Sequence, residues 1–193
     1  MEKLLKVSRV IDAINLRIGK ALALMVLLAV LVSAGNATVR KVFDLSSNAW
    51  LELQWVLFSM VFLLCAPWTL LSNEHVRIDI VNSMLPARVR NTIDLIGHAF
   101  FLLPLTIIMI ITSAPFFLNS FLINEQSFSS GGLPQWPAKS LIAIGFALLA
   151  AQGLSEIIKR IAVMRGLIAD PYLTQRSTLE VEAEQIAESV EKR

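Results

Sequence analysis

Four long stretches of this chain contain no Lys, Arg, Asp or Glu: residues 21–39, 53–73, 95–124 and 140–155, of 19, 21, 30 and 16 residues. A helix needs about 20 mostly apolar residues to cross a hydrocarbon core of roughly 30 Å, so four crossings fit into the chain and little else remains. An ionisable side chain near the bilayer centre is costly, and proteins that move charged solutes keep such groups along the pathway. No Lys, Arg, Asp or Glu falls inside these stretches, and their one histidine, His98, stands near the start of the third rather than at its centre. The chain therefore reads as an all-α integral membrane protein with a scaffold-like interior, rather than as a carrier or an enzyme working alone.

Composition agrees with that class. Hydrophobic residues make up 55%, charged residues 17%, and the mean hydropathy is +0.66, far from a soluble domain. A formal net charge of +2 is too small to suggest nucleic acid as a partner. Cys65, the only cysteine, lies within the second apolar stretch, which excludes a disulfide framework and a thiol pair and leaves a small packing residue. No metal or cofactor site is indicated. Lys3, Lys6, Arg9, Arg17 and Lys20 precede the first apolar run, as they would in a signal peptide. That run exceeds the roughly 7–15 residues of a signal core and has no clear small-residue cleavage site, so it reads as a retained helix.

The basic residues set the expected orientation. Eleven Lys and Arg lie in the leader, between the second and third spans and close to the end of the fourth, among them Arg77, Arg88, Arg90, Lys159, Arg160 and Arg165; only Arg40, Lys41 and Lys139 lie in the alternate connections. This positive-inside bias predicts a multi-pass protein with both termini in the cytoplasm. The spacing predicts spans at about 18–39, 52–73, 94–120 and 138–160 within a membrane domain of residues 18–165, a leader at 1–17 and a cytoplasmic tail at 166–193. Leu4, Val7, Ile11, Ile14 and Ile18 recur at helical spacing opposite most of the leader's basic residues, predicting an amphipathic surface helix. Asp170–Pro171 is expected to break the last span, and Ser177 with Glu180 forms a capping box for a short acidic helix. Pro104 is expected to kink the long third span. Glu156 stands three and four residues before Lys159 and Arg160, pairing distance on a helix. Asn36, Thr106, Thr112 and Gln152 are the candidates for hydrogen bonds between helices.

The remaining polar residues gather at the ends of the spans. One end carries His75-Val76-Arg77-Ile78-Asp79; the other carries Trp50-Leu51-Glu52, Glu125-Gln126-Ser127 and Leu133-Pro134-Gln135-Trp136-Pro137-Ala138-Lys139, followed by Gly145-Phe146 and Gln152-Gly153 in the last span. In this order and spacing the chain resembles the small membrane subunit, the DctQ-like family, of tripartite ATP-independent periplasmic (TRAP) transporters. The resemblance covers about residues 10–165. It implies a division of labour: a periplasmic binding protein captures a small organic acid, a large membrane subunit moves it with sodium, and the small subunit braces the large one. The expected partners are then the large subunit, the periplasmic solute-binding protein and membrane lipids. Glu52, His75, Arg77, Asp79, Glu125, Ser127, Trp136 and Lys139 are the candidates for fixing the fold or the partner interface. The alternatives are a membrane-anchored redox subunit holding haem between His75 and His98, and a self-associating carrier, which the bare interior disfavours.

Overall fold

A computed structural model describes residues 1–44, 47–72 and 86–168. The described residues form helices: α1 (Glu2–Phe43), α2 (Asn48–Leu71), α3 (Ala87–Ile96), a π-helical turn (Gly97–Leu102) leading directly into α4 (Leu103–Leu122), and α5 (Trp136–Met164). Four helical segments, with α3 to α4 taken as one from Arg88 to Leu122, are long and apolar enough to cross a membrane.

No break separates the leader from the first span. The two make one helix of 42 residues, about 63 Å long at 1.5 Å per residue. The leader's apolar positions Leu4, Val7 and Ile14 are exposed, whereas Ser8, Asn15 and Gly19 are buried. The polar stripe packs inward because the last helix answers it with hydrogen-bonding partners, which corrects the expectation of a separate helix lying on the membrane surface. The last helix also stops earlier than Asp170–Pro171 predicts. It ends at Met164, where Gly166 takes φ +70° and the amides of Gly166 and Leu167 bond back to Val163 and Ala162. Glycine reaches this left-handed conformation at little steric cost, so the chain caps there. Residues 169–193, with the Ser177–Glu180 box, lie outside the described residues.

Packing centres on α5. It contacts every other helix, while α1 and α2 pack on each other and on α5, and the α3–α4 segment leans mainly on α5. Close approach depends on glycines facing bulky neighbours. A Cβ on Gly19 would sit 2.5 Å from the Trp68 ring of α2, and one on Gly153 would meet Leu102 at 2.9 Å. At Gly145 the neighbour is backbone: a Cβ would lie 3.0 Å from both the carbonyl oxygen and Cβ of Leu63. Pro67, buried inside α2, has no N–H to offer the Leu63 carbonyl one turn earlier. Gly145 thus packs α5 against the carbonyl that Pro67 leaves without its helical donor.

In the third segment the disturbance precedes Pro104. The amide of Leu103 bonds to the His98 carbonyl, five residues back, the register of a π turn. Pro104 lacks the N–H that would continue the α register at that point, and the wider turn takes up the mismatch. Helix α4 then runs through Pro115 to Leu122.

Candidate functional site

Polar chemistry is concentrated at the two ends of the helices. At the end carrying the N-terminus, α1 meets α5 through facing polar stripes. Ser8, Asp12 and Asn15 stand at successive turns of α1; Gln152, Ser155, Glu156 and Lys159 answer from α5. Gln152, fully buried, is the centre. Its amide nitrogen donates to Asp12 Oδ1 (2.9 Å) and Glu156 Oε1 (3.0 Å), and its oxygen accepts from Asn15 Nδ2 (2.7 Å). Ser155 donates to Asp12 Oδ1 at 2.8 Å, which leaves the Ser8 hydroxyl to donate to Ser155 Oγ at 2.7 Å. Lys159 reaches Asp12 Oδ2 at 3.2 Å and also pairs with Glu156. Gln152, Ser155 and Lys159 donate to two carboxylates bridged by one ammonium, an arrangement that gives each partly desolvated charge a partner.

Beside it, Arg160 is buried and ties α5 to α3: Nη1 donates to Asn91 Oδ1 at 3.1 Å, and Nη2 stands 3.6 Å from Asp94 Oδ2. Of the two helical pairings open to Glu156, the structure uses Lys159, while Arg160 turns to α3. His98, buried on the π turn, places Nδ1 2.5 Å from the Asp94 carbonyl. His75, Arg77 and Asp79 lie outside the described residues.

At the opposite end, the loop of residues 123–135 folds back onto α2. Glu52 receives the Ser127 hydroxyl on one carboxylate oxygen and the Leu133 amide, at 2.6 Å, on the other. Asn48 donates to the Ser130 carbonyl at 2.9 Å. Within the loop, the Ser127 amide bonds to the Leu133 carbonyl and the Gln135 amide to the Glu125 carbonyl. Glu125 pairs with Lys139 of α5, whose ammonium also lies 4.1 Å from the centre of the Phe116 ring. The Lys139 ammonium holds the Glu125 carboxyl below the usual carboxylate range. Trp136 meets Phe121 edge to face at 5.4 Å. The structure thus joins Glu52 to Ser127, 75 residues away, and Glu125 to Lys139 across the loop.

The sequence model of the DctQ component of tripartite ATP-independent periplasmic transporters matches residues 28–163. The chain belongs to the DctQ family. No curated protein and no solved structure matches it. As a DctQ component it is a membrane protein of the TRAP transport system, in which the small subunit works with a large membrane subunit and a periplasmic binding protein. The match begins at residue 28, so Ser8, Asp12 and Asn15 fall before it. These residues went unrecognised in the sequence, although Ser8, Asp12, Asn15 and Gly19 recur at spacings of four, three and four, a polar stripe that mirrors the one on α5. Of the residues considered for bonds between helices, Gln152 makes two, to Asn15 and Asp12, besides one to Glu156 within its own helix, and Asn36 reaches Gln54 at 3.5 Å. Thr106 and Thr112 bond to carbonyls of their own helix.

Proposed function

We propose that this DctQ-family protein braces the large membrane subunit of a sodium-coupled transporter while that subunit takes up a small organic acid delivered by the periplasmic binding protein. One observation carries the reading: among the described residues, the polar side chains that cluster at the two ends of the helices bind one another. Asp12, Gln152, Glu156 and Lys159 bind one another, and so do Glu52 with Ser127 and Glu125 with Lys139. Groups committed in this way stiffen a unit and are poorly placed to bind and release a solute. A moving transport element needs a stationary neighbour, and helices locked together by buried polar contacts suit that part. In this reading the protein sits in the inner membrane with both termini in the cytoplasm, as the distribution of basic residues favours, and the loop of residues 123–135 faces the periplasm.

The test is deletion of this subunit from the intact transport system. Uptake is expected to fall to background while the periplasmic protein binds its solute with unchanged affinity. Normal uptake in the absence of the chain would refute the bracing role.

A further inference from the structure

Helix α1 runs on past its membrane-crossing stretch without a break, which limits what can cover its first turns. Residues 21–39 carry no charge, and at 1.5 Å each they span about 28 Å, close to the roughly 30 Å of a hydrocarbon core. Val7 lies 14 residues before Ala21 on the same helix, about 21 Å further along the axis, and a tilt of about 40° still leaves roughly 16 Å. A headgroup layer adds only about 5–8 Å on each side. The outward face of the leader therefore stands clear of lipid. Leu4, Val7, Val10 and Ile14 are exposed, and Lys3, Lys6, Arg9, Arg17 and Lys20 are exposed beside them. No ion pair among the described residues engages these five cations, because Asp12 faces α5 and binds Lys159.

The same end of the bundle carries a segment of matching chemistry. The end of α5 lies against the leader, with Ser155 on Ser8 at 2.7 Å and Lys159 on Asp12 at 3.2 Å, so residues 169–193 continue from a point beside it. They hold six carboxylates against three basic side chains. Leu179, Ala183, Ile186 and Val190 recur at spacings of four, three and four, and on a helix Glu180, Glu184, Glu188 and Glu191 fall along one side of that row. Glu180 follows Met164 by 16 residues, a reach of up to roughly 50 Å, longer than the leader itself. Tethering raises the effective concentration of such a segment toward millimolar, an advantage that a separate partner lacks. We propose that residues 177–191 dock as an amphipathic helix on the outward face of the leader, with the apolar row against Val7, Val10 and Ile14 and the glutamates toward Lys3, Lys6 and Arg17. The chain thereby clasps its first helix from both sides, α5 on the polar stripe and the acidic segment on the apolar one. The docking is independent of the transporter reading and of the side of the membrane that this end faces.

The test uses membranes of cells that make the full chain with its native partners. A photoreactive benzoylphenylalanine in place of Val10 is expected, on irradiation, to form an adduct within the chain, on residues 177–191, identified by peptide mass spectrometry. Lys3→Glu, Lys6→Glu and Arg17→Glu together are expected to lower the adduct yield about tenfold. Adding Glu180→Lys, Glu184→Lys and Glu191→Lys to the same chain is expected to restore it. The three tail substitutions alone, which lie outside the helical bundle, are expected to lower the yield as much as the leader set does. An adduct with lipid or with another protein in place of residues 177–191, a yield that neither set of reversals moves, or a failure of the combined set to restore it overturns the proposal.

Discussion

Replacing Gln152 by leucine tests the link between α1 and α5 most directly. The substitution keeps an apolar stem of similar length and removes three hydrogen bonds at a fully buried position. Two of them end on the carboxylates of Asp12 and Glu156, and a hydrogen bond to a charged group contributes about 1.5–3 kcal/mol. The third, from Asn15, joins neutral groups, for which contacts between membrane helices average about 0.6 kcal/mol. The gross loss is therefore roughly 4–7 kcal/mol. Lys159 still bridges both carboxylates, Ser155 still reaches Asp12, and leucine gains apolar contact, so a net loss of about 3 kcal/mol is expected. At about 2–4 °C per kcal/mol for a chain of this size, the melting temperature of purified protein should fall by roughly 6–12 °C. Asn15→Ala should cost less in the Gln152→Leu background than in the parent, because its partner is already gone. A drop below about 2 °C, or strict additivity of the two substitutions, would show that the buried network does not hold these helices together.

Two further outcomes follow from packing and charge. Gly145→Val must displace the Leu63 backbone of α2 and should cost about 1–3 kcal/mol, whereas Gly35→Ala, where a Cβ meets nothing within 4 Å, should leave the melting temperature unchanged; equal effects would refute the close approach of α2 and α5. Because the folded-state pKa of Glu125 is depressed, its pairing with Lys139 contributes fully above the unfolded carboxyl pKa of about 4.3 and is lost as pH falls through the lower folded value. Hydrogen exchange at the Gln135 amide, bonded to the Glu125 carbonyl, should stay protected from neutral pH to about pH 5 beyond the intrinsic pH trend and loosen in more acid solution. In Glu125→Gln that acid loosening should disappear, and an identical profile would assign it to another group.

The helices were legible because a bilayer imposes the same demand on every crossing, and stretches such as 53–73 and 95–124 meet it on composition alone. Their inward faces were not. In water a polar stripe marks the outside of a helix, and on that convention Leu4, Val7 and Ile14 of the leader face a surface with most of its basic residues opposite. A membrane helix whose neighbour supplies Gln152 and Lys159 follows the opposite convention, and only the fold brings residues about 140 positions apart within hydrogen-bonding distance. Glu52, Ser127, Glu125 and Lys139 were singled out through family resemblance, but their pairing required knowledge of how the loop returns to α2. The contact of Gly145 with the carbonyl freed by Pro67 has a sequence trace only in each residue separately. The end of α5 at Gly166 was missed for a simpler reason: Asp170–Pro171 is the louder stop signal, yet a capping glycine before it is sufficient.

The central place of α5 also bears on biogenesis. A ribosome delivers α1 first and α5 last, so the nascent chain enters the bilayer with Ser8, Asp12 and Asn15 made but their partners still unsynthesised. Until α5 is made, Asp12 lacks the Gln152, Ser155 and Lys159 partners it has in the fold, and α4 lacks the surface on which it rests. A chain cut short before Gln152 would carry three hydrophobic segments with no common core, the kind of product that membrane proteases and insertion chaperones recognise by its uncompensated polar groups. The interior of the bundle is thus completed only when α5 joins it.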